Sequence, residues 1–278
     1  MKDVRTGLFI TAITAGAAFA SPAYATPEVE RERSLTVGGA ALVKPKYEGS
    51  DEHDVIGFPI IIPKFSDAPD EQPSAFKSFR QRIKFRGLDD IRLRAVGGER
   101  LQFGAVTGYI TDRDQKDGQL LRGLGDVEGG LVLGGYTAFR SGPVAFDAAF
   151  IDKVTGDESG YELRFGAETE QRISERTKLV ARVGTTFASD DYMQTYFGVT
   201  PAQASTSKAG LAAYSPDAGI KDVYVEVGGE IALGERWLLK PGGRYGRLLG
   251  DAADSPIVES ENQFSGVLGM GYRFSLPQ

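Results

Sequence analysis

The sequence predicts an all-β fold, an antiparallel transmembrane β-barrel of about twelve strands, and three observations carry the prediction. Apolar and polar residues alternate in one segment after another. The connections between these segments run alternately short and long. The last segment ends on an aromatic face. Glycine is frequent, at 36 of 278 residues, and cysteine is absent, so stability must come from the backbone ladder and packing rather than from disulfides or thiolate-bound metal. A net charge of −6 provides no basic footprint and argues against a nucleic-acid partner.

The chain opens on a secretory signal over residues 1–25. Lys2 and Arg5 precede a short apolar run, Gly7 to Ala20, and Ala23-Tyr24-Ala25 supplies the small-x-small pattern that a signal peptidase needs, with cleavage expected before Thr26. That apolar run is shorter than the roughly 20 residues of a spanning helix. Residues 26–278 then form one large barrel domain.

Alternation is clearest between Tyr161 and Gln171. Tyr161, Leu163, Phe165 and Ala167 fall on one face, and Glu162, Arg164, Glu168 and Glu170 on the other, because successive strand side chains point to opposite sides. The same pattern recurs with Leu179, Ala181 and Val183 against Lys178 and Arg182, and with Val223, Val225 and Val227 against Glu226. Strands are expected at 34–44, 54–63, 77–87, 91–97, 100–110, 127–140, 143–153, 160–171, 176–187, 221–233, 236–249 and 262–275. The second and fourth have the weakest alternation, and without them ten would remain, also an even number as bacterial barrels require. Short turns at 140–143, 173–176 and 234–236 belong on the periplasmic side, and the long connections Thr111 to Asp126, Ala188 to Lys221 and Gly250 to Glu261 on the outer side. Ser66 to Phe76, with Asp67, Asp70 and Glu71, is the exception: parity makes it a long periplasmic segment and a candidate partner contact.

The final strand places Phe264, Leu268, Met270, Tyr272 and Phe274 on one face. A terminal strand ending Tyr272-Arg273-Phe274 resembles the assembly signal of outer-membrane proteins, although Ser275 to Gln278 follow it. Four further motifs resemble the MltA-interacting protein family (MipA/OmpV) of Gram-negative bacteria. They are Lys46-Tyr47-Glu48-Gly49-Ser50-Asp51 with Phe58-Pro59; Arg122-Gly123-Leu124-Gly125-Asp126; the long run from Asp191 to Ala204, which includes Tyr192, Met193, Gln194, Thr195, Tyr196, Phe197 and Gly198; and Arg247 to Pro256. The resemblance implies an outer-membrane barrel in contact with membrane lipid and lipopolysaccharide. It also implies a non-enzymatic scaffold that links a murein lytic transglycosylase to a murein synthase in peptidoglycan metabolism.

The long loop from Ala188 to Lys221 needs a job, since loops of this length are uncommon without one. Its aromatics either anchor it to the rim, as interfacial girdles do, or build a plug or binding surface at the mouth. The inward charges Glu162, Glu168, Arg182, Glu226 and Glu230, with Lys84, Arg86, Arg92 and Arg94 earlier in the chain, allow two readings. Opposed acidic and basic walls would select solutes in a porin-like small-solute channel. Alternatively, Lys178 and Arg182 neutralise the acidic strands on either side, at roughly 0.2–1 kcal/mol per cross-strand pair. On this reading a charge such as Glu162 can be neutralised far more cheaply than Leu163 on the lipid face can be made charged. His53, the only histidine, lies among Asp51, Glu52 and Asp54 and reads as part of a solvated loop rather than an acid–base pair. No cofactor or metal motif with ligand spacing is present.

Overall fold

The computed structural model describes residues 33–64, 82–98, 100–156 and 160–276. The expected signal segment, the Ser66 to Phe76 connection and the first part of the expected third strand lie outside these residues. Twelve strands form one antiparallel sheet: β1 (Arg33–Pro45), β2 (His53–Lys64), β3 (Ile83–Gly87), β4 (Asp90–Gly97), β5 (Leu101–Ile110), β6 (Gly130–Ser141), β7 (Val144–Lys153), β8 (Tyr161–Ser174), β9 (Thr177–Ala188), β10 (Gly219–Leu233), β11 (Trp237–Leu248) and β12 (Asn262–Leu276). Each expected strand is present, and apart from β3 the bounds shift by a few residues at most.

The sheet is a β-barrel. Neighbours in sequence pair as hairpins, and the first strand pairs with the last, in register from Arg33↔Leu276 to Val43↔Gly266. The sheet order runs from β2 through β1 and β12 back to β3, so its two ends are consecutive strands joined by a segment outside the described residues.

Strand alternation sorts the two faces. Phe103, Tyr109, Leu131, Leu133, Phe165, Val183, Val225 and Phe264 are exposed on the outer, lipid-facing side. Arg92, Asp147, Glu162, Glu168 and Arg182, on the opposite parity, are buried in the lumen. At one end of the barrel the turns are tight. Gly142 (φ 58°) and Gly234 (φ 72°) take the left-handed conformation that the hairpins β6–β7 and β10–β11 require. The other end carries the long connections.

Candidate functional site: a capped mouth above a bridged lumen

Among the described residues, three short helices sit in the long connections: α1 (Asp190–Phe197), α2 (Pro201–Thr206) and α3 (Gly250–Ala253). Ser189 caps α1 through the Tyr192 N–H, with Asp190 and Asp191 in its first turn. Thr200 starts α2 in a capping box with Gln203, and Pro201 occupies the first turn. The Thr-Pro-x-Gln pattern was legible in the sequence as a helix start, yet the expectation was a loop.

These helices pack on residues from other connections. Tyr192, Met193, Tyr196 and Phe197 of α1 meet Val127, Leu248 and Ala252 in one apolar cluster. Tyr47, Leu121, Leu124, Val199 and Ile257 form a second. The two clusters therefore draw on the β1–β2, β5–β6, β9–β10 and β11–β12 connections, all at the same end of the barrel. Phe197 and Ile257 are fully buried. Polar ties run between the same segments. Tyr47 donates to the Ile257 carbonyl at 3.0 Å, Ser255 to the Phe197 carbonyl at 2.5 Å, Arg113 to the Tyr196 carbonyl at 2.9 Å, and Gln203 to the Leu124 carbonyl at 2.8 Å. Of the two readings of these aromatics, rim anchor or plug at the mouth, the packing follows the second: four loops converge, and the aromatics are the core of a cap. Gln194 and Thr195 are half-buried, and Gly198 ends the helix where a side chain would meet that of Gln194.

Lys221 fastens the cap to the wall. It is buried at the start of β10, with Nζ 2.6 Å from Glu48 Oε1 and 2.7 Å from Glu162 Oε1. It also donates to the Tyr192 hydroxyl at 3.1 Å, and that hydroxyl donates to Glu48 Oε2 at 3.0 Å. One ammonium thus joins β10, β8, α1 and the β1–β2 connection. Burial next to Glu162 and Glu48 pushes the Tyr192 phenol well above its ordinary pKa, so it stays a donor. Burial pushes Tyr47 up as well.

Below the cap the lumen is bridged. Asp147 on β7 accepts from Arg92 of β4 at 2.7 Å and from Arg182 of β9 at 2.6 and 3.0 Å, and Arg86 of β3 approaches to 3.3 Å. Lys84 of β3 pairs with Glu168 of β8, and Arg86 lies 3.1 Å from the same carboxylate. Arg164 of β8 reaches Asp89, between β3 and β4, and Glu162, each at 2.5 Å. Strands β3 and β8 have four others between them in the sheet, so these pairs cross the interior rather than run along the wall. Two glycines make room: a Cβ on Gly166 would lie 2.2 Å from the Arg182 guanidinium, and one on Gly184 would lie 2.4 Å from the Tyr224 ring.

The inward charges are mutually paired, as one of the two readings expected, but Arg182 takes a different partner. Arg182 sits in register with both Glu168 and Glu226 but turns to Asp147 and Tyr224. Lys178 does lie near Glu170, at 3.9 Å. Glu226 pairs with Arg244 at 3.2 Å and Glu230 with Lys240 at 3.2 Å, both partly exposed. The sequence reading missed Asp147 and Asp89. Asp147 was visible as a lone acid on the inward parity of an apolar strand, Val144-Ala145-Phe146-Asp147-Ala148-Ala149-Phe150. His53 is exposed, its ring nitrogen 3.1 Å from the Phe264 carbonyl oxygen, and Glu52 pairs with Lys46 instead. Tyr272 and Phe274 lie on the lipid side at the short-turn end, their rings 4.7 Å apart and Trp237 5.0 Å from Tyr272.

Residues 37–274 match the family described as "MltA-interacting protein MipA". The chain belongs to that family. Outer membrane protein Omp26La of Vibrio anguillarum is 26% identical over 67% of this chain and 72% of its own length. Outer membrane protein OmpV of Vibrio cholerae is 25% identical over 61% of this chain and 64% of its own. The chain thus spans a little under two thirds of OmpV. Among solved structures, an outer membrane channel from Pseudomonas putida F1 is 11% identical, covering 89% of this chain and 97% of that one, with a TM-score of 0.39. This MipA-family protein is an outer-membrane β-barrel.

Proposed function

We propose that this barrel works as a closed, non-enzymatic docking platform that holds a murein lytic transglycosylase, and with it a murein synthase, at the outer membrane. One observation carries the reading. The mouth is filled by a cap with its own apolar core, and the lumen beneath it is spanned by buried ion pairs. A platform has no need of a through-path, whereas a small-solute channel does. The partner is taken from the family description, MltA-interacting protein. On this reading the cap faces outward, and the short turns face the periplasm, where murein enzymes work.

Two experiments test it. Immobilised full-length protein should retain a purified MltA-type transglycosylase from solution, and failure to do so removes the platform reading. In whole cells, an impermeant thiol reagent should label a cysteine at the exposed Ser205 and leave one at Ser141 dark; the reverse pattern inverts the orientation.

A further inference from the structure

The ion-pair network does not use every charge in the lumen. Five arginines near the short turns share the inward parity: Arg82, Arg94, Arg140, Arg172 and Arg273. Arg82 and Arg94 lie on the face of Lys84, Arg86 and Arg92, and the Arg94 N–H donates to the Arg82 carbonyl at 2.8 Å. Arg140 follows the outward Phe139 and sits in register with Ala145. Arg172 continues the face of Glu162 and Glu168 and pairs in register with Lys178. Arg273 lies between the outward Tyr272 and Phe274, in register with Thr36. None of the five has an ion-pair partner among the described residues. The lysines of the same layer are already engaged, Lys178 near Glu170 and Lys240 with Glu230. Glu175 and Glu235 stand on the turns themselves, exposed.

Like charges that share the inward parity at one rim, four of the five exposed, repel one another, so stability alone does not favour them. A confined cationic space focuses the field and concentrates anions, and guanidinium forks match the paired oxygens of carboxylate and phosphate. On the closed-barrel reading proposed above, the cap and the bridged section shut its far end. We propose that the short-turn end of the lumen is a binding vestibule for small, multiply charged oxyanions bearing carboxylate or phosphate groups. The vestibule is independent of transglycosylase docking, which is read by capture rather than by anion binding, so either idea can fail alone.

The test is calorimetric titration of the full-length protein in neutral detergent with citrate, with pyrophosphate and with uncharged maltotriose. We expect one or both anions to bind, more weakly as salt rises, and maltotriose to give no heat. In Arg140→Gln/Arg172→Gln/Arg273→Gln the affinity should fall by at least about tenfold. Because these arginines hold no ion-pair partner among the described residues, that variant should fold as the parent does, shown by an unchanged far-ultraviolet spectrum. Removing the same charge from the cap, in Lys116→Gln/Arg122→Gln/Lys208→Gln, should leave the affinity unaltered. Tighter binding of pyrophosphate assigns the vestibule to phosphates, and tighter binding of citrate to carboxylates. No binding of either anion at millimolar concentration, or equal binding by the triple lumen variant, overturns the proposal.

Discussion

The two ends of the barrel are built on opposite rules. At the capped end, four connections pool their apolar side chains, and a buried cation such as Lys221 has acids within 2.6–2.7 Å. At the other end the described turns are only a few residues long, are exposed, and stand beside arginines that have no acidic partner among the described residues. The strands between them follow one alternating rule throughout. The difference teaches that the ladder closes the wall, while loop length decides which end of the lumen acquires a core. Between the ends lies the bridged section, where burial is deep and charges are matched.

If burial and matching are what separate these regions, a change in the bridged section should cost most. Asp147→Asn leaves Arg86, Arg92 and Arg182 facing a neutral group, and breaking a buried network in this way costs about 3–5 kcal/mol. Reversible urea unfolding in detergent measures it, and a loss below about 1 kcal/mol, the range of exposed pairs, would mean that the bridge adds little to the wall. Next comes the lipid face. Leu163→Arg should cost about 2–4 kcal/mol near the bilayer midplane. Sequence alone sets Glu162→Gln far below that. The structure raises it to a comparable cost, since Arg164 and Lys221 both lose a buried partner. A cheap Glu162→Gln would restore the simpler view of a wet, tolerant lumen.

A smaller effect sharpens the contrast from the capped side. The folded pKa values of Tyr47 and Tyr192 are raised, so the folded state holds these protons more tightly than the unfolded chain does. Their contribution is complete below the ordinary tyrosine pKa of about 10 and is lost as pH rises above it. Proteolysis within the cap should therefore accelerate above about pH 10, and less so in Tyr192→Phe. Equal acceleration in both proteins would remove Tyr192 from the account. The smallest effect is expected at the partly exposed pair Glu226–Arg244, where Glu226→Gln should cost about 0–1 kcal/mol in the same unfolding assay.

The sequence made the wall legible because period-2 alternation is a local signal. The outward row Tyr161, Leu163, Phe165 and the inward row Glu162, Arg164, Glu168 were assigned to faces from residue order alone. Partners were another matter. Arg182 sits beside Glu168 and Glu226 in register, and it is the space left by Gly166, opposite Asp147 on the intervening strand, that lets its guanidinium reach Asp147. The cap was hidden for a related reason. Tyr47, Leu121, Val199 and Ile257 come from four separate connections, and no periodicity joins them. What was available locally, the helix-start pattern Thr200-Pro201-Ala202-Gln203, marks an element but not its neighbours.

In the function proposed here, the cap and the ion-pair bridge close this barrel. Planar-bilayer recording on the purified full-length protein tests it most directly, with and without replacement of residues 190–217 by a short Gly/Ser linker. A closed barrel passes no steady current, so the parent should show none even at high salt. Steady ohmic current from the parent, unchanged when the cap is removed, would contradict it.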